Sequence, residues 1–473
     1  MNTRIIYIGL IILVAFSSCK KWLDVQPEDR FTGEQIFKTK DGFATAINGV
    51  YLDMSTQKLY GANLNSTILE VFAQRYNFDS QVADLYSYSI HDYNNANVKA
   101  TIDQIWTSMY VNITNVNKFI AHLDADKGAV LSASEDSLFK GEAIGLRAFM
   151  HLDLLRMYGP IYNSADSTKP AIPYSTVAGT SYGPILPANQ VMGKILSDLH
   201  SAESLLANDP IRNGVQSGQN QTYLNNRNQR MNYFAVKGLQ ARALLYRGNK
   251  AAAFLAAKAV IENTSLFPWV QSTEVLSESR NPNRIFSSEL LFSLFSPGLY
   301  DVQKNYFSAD VADKSILAPS PDALNDVFKG DENDYRYNPN WKIAPTGKSY
   351  KTFYKYADVE DKSAPSRFLV PLLRLSEVYY IAAESAPDNA TAFSYLNTVR
   401  NNRGLLDVPQ TASFSNELQN EYTKEFFGEG QLWFYYKRKK VSMIFPFGNP
   451  YQPVFLNAAK YVFPLPLSET SPR

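Results

Sequence analysis

Hydrophobic residues recur along this chain with the period of an amphipathic helix, and the strongest such segments come in adjacent pairs. The stretch Tyr233–Tyr246, YFAVKGLQARALLY, stops before Gly248 and Asn249, and a second alanine-rich helical stretch, Lys250–Glu262, follows almost at once. So short a connection predicts two antiparallel helices. Small residues on both stretches, mostly alanine and glycine, would let the two helices pack closely.

Two other parts of the chain show the same pattern. Gly141–Tyr158 carries apolar residues at helical spacing and ends at Gly159. Pro371–Arg403 reads as two helices, PLLRLSEVYYIAAESA and NATAFSYLNTVRNNRG, with a break at Pro387. Close-packed helical hairpins of this kind are typical of tetratricopeptide repeats. We therefore predict a mostly α-helical fold with tetratricopeptide-like hairpins.

Segments that lack helical periodicity separate the predicted helix pairs. Ser164–Pro187 and Asn281–Phe368 are rich in Pro, Gly, Asn, Ser and Tyr, which predicts loops with short strands. Within the second, Glu289–Phe295, ELLFSLF, reads as a buried strand or a helix edge, and Tyr335–Tyr356 alternates aromatic and polar residues too irregularly for a long helix. Loops of this length in a compact domain are usually functional, so we expect a loop-rich side that faces a ligand.

The amino-terminal residues, MNTRIIYIGLIILVAFSSC, have the pattern of an export signal. Arg4 and the amino terminus are positive, and Ile5–Phe16 forms an apolar run. The run is about a dozen residues long, shorter than the roughly 18 to 20 that a membrane-spanning helix needs. Ser17 and Ser18 then offer small side chains to a signal peptidase. We expect residues 1–18 to be a signal peptide that is removed.

Cys19 is the only cysteine of the chain, and it directly follows this signal. The stretch FSSC that ends at Cys19 resembles a bacterial lipobox, in which the cysteine is acylated and becomes the new amino terminus. An ordinary secretory signal that ends near a free cysteine is the alternative. Acylation would account for a lone thiol in an exported protein, where cysteines otherwise form disulfides, and two or more acyl chains hold a protein stably on a membrane. We expect residues 19–30 to be a lipidated flexible lead and residues 31–473 to be a single body.

Composition agrees with an exported globular body. Hydrophobic residues make up 45% of the chain, and 46 basic side chains balance 45 acidic ones, so we expect no nucleic-acid partner. No later apolar run is long enough to cross a bilayer. The 30 Tyr and 28 Phe are a large share, and some of these rings should lie outside the core. The basic end of GEGQLWFYYKRKK could form a polyanion patch, but basic residues at a helix end are favourable in any case.

The chain carries no catalytic or metal-binding signature. Its four histidines lack HExxH spacing, one cysteine cannot form a thiolate zinc cluster, and neither a G-x-S-x-G elbow nor a Walker loop is present. Asp124–Glu135, DADKGAVLSASE, nearly copies a calcium loop, but its glycine is at the fifth position instead of the sixth, which favours a polar loop between helices. His151 reads as a packed or hydrogen-bonded structural residue. We expect no enzyme activity, cofactor or metal, with a surface glycoside hydrolase that uses paired carboxylates as the alternative.

Several blocks of sequence, in order along nearly the whole chain, resemble the SusD/RagB family of Bacteroidetes lipoproteins. The first, CKKWLDVQPEDRFTGEQIF, follows the export signal, and KGEAIGLRAFMHLDLLRMYGPI is the most recognisable. The others are IWTSMYVNITNVNKFI, LLRLSEVYYIAAESA, LNTVRNNRGL and EYTKEFFGEGQLWFYYKRKK. No single block is decisive, but their number and order carry the resemblance.

This resemblance implies a mostly helical body in which tetratricopeptide-like hairpins form one face and loops with short strands form the other. It also implies capture of an oligosaccharide or an oligopeptide at the cell surface, with the lipoprotein acting as a lid over a TonB-dependent, SusC-like outer-membrane transporter. Cys19 would be the lipid anchor of an outer-membrane protein that faces the cell exterior.

In this family the ligand surface is drawn from an early loop region and from loops in the middle third, where aromatic rings stack on the ligand. Carrying over these regions, and not individual residues, gives the predicted ligand-binding residues Arg75, Tyr76, Asp79, Tyr93, Asn94, Tyr300, Tyr306 and Trp341. A glycan platform should present roughly coplanar rings, whereas a peptide groove should add Asn, Arg or Asp groups directed at the main chain. Tyr93→Ala and Trp341→Ala should each cost on the order of 1 kcal/mol in affinity and leave thermal stability nearly unchanged.

Overall fold

The computed structural model describes residues 35–78, 82–179, 183–214, 223–276 and 280–470. The predicted signal peptide, Cys19 and the lipidated lead lie outside these ranges, as does Asp79. Contacts between residues divide the chain into two units, with the boundary between Ala46 and Ile47. The single body expected for residues 31–473 therefore stays a prediction.

The described part of the first unit is short. It contains one turn of 3₁₀ helix, Ile36–Lys38, and the beginning of the helix Lys40–Met54. The rings of Phe37 and Phe43 pack edge to face, with centroids 5.0 Å apart. The boundary between the units falls inside this helix.

Helices dominate the described residues, as predicted. The longer ones are α1 (Lys40–Met54), α2 (Ala96–Asp126), α3 (Ala133–Tyr158), α4 (Ala188–Leu205), α5 (Tyr233–Arg247), α6 (Lys250–Ile261), α7 (Leu375–Ser385), α8 (Asn389–Asn401), α9 (Phe414–Glu425) and α10 (Gln431–Lys439). Shorter helical segments are Ile68–Phe72, Tyr86–Ser89, Ser272–Val275, Leu299–Val302, Pro321–Phe328 and Leu467–Thr470. Consecutive helices pack as pairs, including α2 with α3, α3 with α4, α5 with α6, and α7 with α8.

The hairpin of α5 and α6 confirms the strongest prediction from periodicity, and its caps explain its sharp boundaries. Asn232 begins α5 by accepting a hydrogen bond from the backbone N–H of Ala235, and Asn249 begins α6 in the same way at Ala252. Gly248 ends α5 with φ of +87°, a left-handed conformation that glycine adopts without strain.

Helix α3 begins at Ala133, well before the predicted start at Gly141. Ser132 accepts a hydrogen bond from the backbone N–H of Glu135, and the Glu135 carboxylate accepts one from the backbone N–H of Ser132. This reciprocal capping box fixes the first turn of the helix. The middle of Asp124–Glu135 is the predicted polar loop, whereas its last residues belong to the helix.

The start of the Pro371–Arg403 segment is a strand and not the predicted helix. Strand β6 (Leu369–Arg374) is buried throughout and pairs antiparallel with β3 (Leu290–Phe295), and α7 begins only at Leu375. A short, continuously apolar run has no period that separates strand from helix, which is why the sequence reading failed here. The strand reading of ELLFSLF is confirmed by β3.

The remaining strands form small two-stranded antiparallel pairs. They are β1 (Pro170–Pro173) with β2 (Ile185–Pro187), β4 (Trp341–Lys342) with β5 (Thr352–Phe353), and β7 (Met443–Ile444) with β8 (Val454–Phe455). The described parts of Ser164–Pro187 and Asn281–Phe368 contain loops with short strands, as expected, but Asn281–Phe368 also contains the helices Leu299–Val302 and Pro321–Phe328.

A buried network of charged side chains centres on Glu425, at the end of α9. Its carboxylate lies 2.5 Å from Nη1 of Arg374, 2.7 Å from Nη2 of Arg403 and 3.3 Å from Nη1 of Arg336. Arg403 also pairs with Glu289, at 2.6 Å. Because these groups come from distant parts of the chain, the network ties β6, the turn before β3 and the segment after α8 to α9.

The ion pairs of this network hold Glu425 and Arg374 in their charged forms. Burial by itself raises the pKa of the Glu425 carboxyl, but Arg403 and Arg374 outweigh that effect and hold the pKa well below its usual range. Burial lowers the pKa of the Arg374 guanidinium, and Glu429 and Glu425 outweigh it and raise the pKa. Glu429 pairs in turn with Lys355.

The basic end of GEGQLWFYYKRKK has a structural role. Lys437 is buried, and its Nζ donates hydrogen bonds to the backbone carbonyl oxygens of Arg156, Met157 and Gly159, at the carboxyl end of α3. Its donors satisfy carbonyl groups that have no partner within the helix, and burial lowers the pKa of the Lys437 ammonium group well below its usual value. Arg438 pairs with Glu384 at 2.6 Å, so neither of these two side chains is available to a polyanion.

We predict that Glu425→Gln lowers the free energy of unfolding by about 3–5 kcal/mol, because it leaves the guanidinium groups of Arg374 and Arg403 buried with too little negative charge. Chemical denaturation followed by circular dichroism measures this loss. The matched control is Glu262→Gln, which removes an exposed carboxylate from the end of α6 and should change stability by less than about 0.5 kcal/mol. Equal stability of the two variants would contradict a structural role for the network.

Candidate functional site

Two of the early predicted residues are part of the core. Arg75 is fully buried, pairs with Glu70 at 3.2 Å, and places its guanidinium 4.1 Å from the centroid of the Phe427 ring. Tyr76 is buried as well, and its hydroxyl donates a hydrogen bond to the carbonyl oxygen of Ser66. Neither side chain can reach a ligand in this arrangement, so neither is part of the proposed binding site.

Trp341 is also buried, with 1% of its surface exposed. Its ring packs against Phe353 and Phe427, with centroid distances of 4.9 and 4.7 Å. The expectation that Trp341→Ala leaves stability unchanged is therefore corrected, since removing a large core side chain costs about 3–5 kcal/mol. The register of β4 turns this ring inward, and nothing in the local sequence indicates that register.

Tyr93, Asn94 and Tyr306 are closer to the surface. Tyr93 is half-buried, and its hydroxyl donates a hydrogen bond to the carbonyl oxygen of Lys460. Its ring packs against Phe72, at 5.8 Å between centroids. Asn94 is exposed in a turn, and Tyr306 is half-buried. Tyr93 is thus held by contacts within the protein.

Tyr300 is the predicted residue that lines a cleft. The cleft spans about 320 Å³, which includes space open to solvent, and is lined by residues of four segments, 282–285, 299–300, 355–359 and 366–369. We call it the Tyr300 cleft. Among the described residues, its lining includes none of the other predicted ligand-binding residues.

Aromatic rings form one wall of the Tyr300 cleft. Tyr300 and Phe368 are both half-buried, and their ring centroids are 4.5 Å apart with an angle of 38° between the planes. Phe295, which is 51% exposed, packs against Phe368 at 5.4 Å and 57°. The guanidinium of Arg367 lies 4.7 Å from the Phe368 centroid. The rings are tilted, so this wall is a short curved surface and not the coplanar arc expected of an extended glycan platform.

Backbone contacts hold this wall in place. Phe368 has φ of +62°, an uncommon conformation for a residue with a side chain, and its backbone N–H donates a hydrogen bond to the Tyr300 hydroxyl at 3.3 Å. Asp358 accepts hydrogen bonds from Arg367 and Lys362, which ties the two ends of the loop together. Strained residues that the surroundings hold in place are often found at ligand sites.

The floor of the Tyr300 cleft contains two buried cations. Lys355 pairs with Glu429 and so connects the cleft to the buried charge network. Arg284 is 8% exposed and donates hydrogen bonds to the carbonyl oxygens of Pro339 and Ala357, at 3.1 and 3.0 Å. Burial lowers the pKa of the Arg284 guanidinium to about 10. The sequence analysis missed Arg284 and Phe368, because no local signal distinguishes them from the other arginines and phenylalanines of the loops.

Among the described residues, no group of three or more His, Cys, Asp or Glu side chains is placed to hold a metal ion. His151 is structural, as predicted. Its Nδ1 lies 2.9 Å from the carbonyl oxygen of Arg147, its Nε2 accepts a hydrogen bond from the backbone N–H of Ser175, and burial lowers its pKa to about 3. None of the helices in the described ranges combines the length and apolar character needed to span a bilayer.

Two family models match separate parts of the chain. Residues 21–222 match the SusD-like family described as starch-binding and associating with the outer membrane. Residues 298–451 match the SusD family. The second match covers Tyr300, Phe368 and much of the Tyr300 cleft.

Similar proteins extend over the whole chain. SusD-like protein P2 of Formosa agariphila is 22% identical, with 97% of this chain and 95% of that protein covered. A SusD superfamily protein from Bacteroides thetaiotaomicron has the same fold, with a TM-score of 0.70, 22% identity, and 91% of this chain and 97% of that chain covered. A SusD-like carbohydrate binding protein from Bacteroides vulgatus gives a TM-score of 0.68 at 16% identity, over 91% and 96% of the two chains. These structures show that the fold is shared, and the two family matches, in order along the sequence, show that the chain belongs to the SusD/RagB family.

Proposed function

We propose that this chain is a nutrient-binding protein of the outer membrane that captures oligosaccharides in the Tyr300 cleft. The observation that carries the proposal is the half-buried pair of Tyr300 and Phe368 in a loop-built cleft with polar groups beside it. Sugar rings have apolar C–H faces that pack on such rings, while hydroxyl groups take hydrogen bonds from neighbouring side chains. Ser366 and Arg367 line the same cleft and supply such groups. Since Arg367 covers one side of the ring pair, a sugar would pack on the other.

The cleft favours binding without turnover. Hydrolysis of a glycoside needs two carboxyl groups at the scissile bond. The described residues that line the cleft include neither Asp nor Glu. Asp358 lies beside Tyr300, but Arg367 and Lys362 already engage it. We therefore prefer a binding protein over the glycoside hydrolase alternative.

The proposal places this binding step at the entrance of a transport system. Residues 1–18 would be removed on export, acylated Cys19 would anchor the protein, and residues 19–30 would give it freedom to move. The body would then act as a lid that delivers ligand to a TonB-dependent, SusC-like transporter, facing the cell exterior. The lipobox-like sequence at Cys19 and the membership of the SusD/RagB family support this part of the proposal. Oligopeptides are the second ligand class to be tested.

We predict that Tyr300→Ala weakens oligosaccharide binding by about 1 kcal/mol, roughly a fivefold rise in Kd, because a stacking ring is lost. Tyr300→Phe keeps the ring and should retain most of the affinity. Isothermal titration calorimetry against a panel of oligosaccharides and oligopeptides measures both. Tyr451→Ala, which removes a ring that is 76% exposed on another loop, is the control and should bind like the parent.

After incubation with the parent protein, the oligosaccharides and oligopeptides should keep their original length. Trp341→Ala separates stability from binding, since it should unfold at a lower temperature than Tyr300→Ala. Equal affinity of the parent and Tyr300→Ala for every ligand would refute the placement of the site. Tight binding of oligopeptides alone would refute the choice of ligand.

We predict that Cys19→Ala releases the protein from membranes, because the thiol that carries the acyl chains is gone. Cell fractionation with a labelled fatty acid measures both the label and the location. Ser18→Thr keeps the cysteine and serves as the comparison for a changed signal sequence. A Cys19→Ala protein that stays in the membrane fraction without label would show that another feature holds it there.

A further inference from the structure

Arg284 differs from every other buried arginine in the described part of the chain. Each of the others has a carboxylate within salt-bridge distance; they are Arg75, Arg147, Arg156, Arg227, Arg242, Arg336, Arg374 and Arg403. Arg284 has no such partner among the described residues. Buried charges in proteins are normally paired, so an unpaired guanidinium in a cleft requires an explanation.

The hydrogen bonds of Arg284 leave part of its guanidinium unused. The group has five N–H donors. Nε donates to Pro339 and Nη1 donates to Ala357, which fixes the guanidinium in one orientation and leaves three donors without a partner among the described residues. Arg284 also lines the Tyr300 cleft. A fixed, desolvated guanidinium with donors to spare is the arrangement that binds oxyanions in proteins.

A second cation, Lys342, follows three residues after Pro339, whose carbonyl oxygen accepts a hydrogen bond from Arg284. Lys342, on β4, is exposed and forms no ion pair with the described residues. Partial burial and the positive charge of Arg284 both lower the pKa of Lys342, so the two charges lie close enough to repel each other. Asp358, which lies in sequence between the lining residues Ala357 and Val359, is already shared between Lys362 and Arg367. An anion bound beside Arg284 would relieve this excess of positive charge.

We infer that the Tyr300 cleft selects anionic oligosaccharides, with Arg284 and Lys342 holding a carboxylate or sulfate oxyanion while Tyr300 and Phe368 pack on the sugar. This inference rests on the proposed function and narrows it to one class of glycan. The shared chemistry is an oxyanion on a saccharide, supplied either by a uronic acid or by a sulfate ester.

Binding to the full chain, purified in detergent, tests the inference with paired probes. For the uronic acid, the pair is an oligogalacturonate and its methyl ester, which differ only in charge. For the sulfate ester, the pair is a sulfated galactan oligosaccharide and its desulfated form. We expect one charged probe to bind at least tenfold more tightly than its uncharged partner, and this advantage should shrink as salt is added. The pair that shows the advantage identifies the source of the oxyanion.

Substitutions assign the effect to the two cations. Arg284→Gln should remove the tenfold advantage of the charged probe over its uncharged partner. Lys342→Gln should reduce the advantage about threefold, and because Lys342 is exposed this variant should fold even if Arg284→Gln does not. Arg280→Gln is the matched control, since Arg280 is 79% exposed and already paired with Glu360, and it should bind like the parent.

Each result separates the inference from the proposed function. Equal binding of charged and uncharged probes by the parent would overturn the inference, and Tyr300-dependent binding of the uncharged probes would then leave the proposed function standing. An advantage that survives both Arg284→Gln and Lys342→Gln would also overturn it. If no saccharide probe binds, both the inference and the proposed function are wrong.

Discussion

The buried ion pairs around Glu425 constrain the loop-rich part of the second unit. Groups that are far apart in sequence, Glu289, Arg374 and Arg403, meet at this one carboxylate or at each other. Each guanidinium gives up hydration when it is buried, and the neighbouring carboxylates compensate for the loss of charge solvation. The loops therefore have few alternative arrangements, because moving any one of them would leave a charge buried without a partner. Lys355, which pairs with Glu429, carries this constraint to the floor of the Tyr300 cleft.

Arg284 lacks the carboxylate partner that the arginines of this network have. The fold pairs the other buried arginines with carboxylates, yet it holds Arg284 with carbonyl groups of Pro339 and Ala357 and brings Lys342 close to it. Carbonyl groups orient a guanidinium without neutralising it. In this account the ion pairs around Glu425 maintain the walls of the cleft. The unpaired Arg284 guanidinium keeps its charge available to the proposed ligand.

The sequence was informative where structure is decided locally. The hairpin of α5 and α6 could be predicted because its period, Gly248 and Asn249 all indicate the same boundaries, whereas for β3 the sequence left a buried strand and a helix edge open. β6 was misread because LVPLL, which precedes Arg374, is a continuous apolar run and its partner β3 lies far away in the chain. The same limit applies to the site. Trp341 and Tyr300 look alike in sequence as aromatic residues of long loops, and only the pairing of β4 with β5 buries one, while the strained turn at Phe368 leaves the other at a cleft.

The central claim is that the Tyr300 cleft is where this SusD/RagB family member binds its ligand. Hydrogen–deuterium exchange of the full chain, measured with and without the saccharide probe that binds most tightly, tests it directly. The account predicts slower exchange on binding in residues 282–285 and 355–369, which build the cleft. Unchanged exchange in both segments, with protection confined to the turn at residues 91–96 around Tyr93 and Asn94, would contradict it.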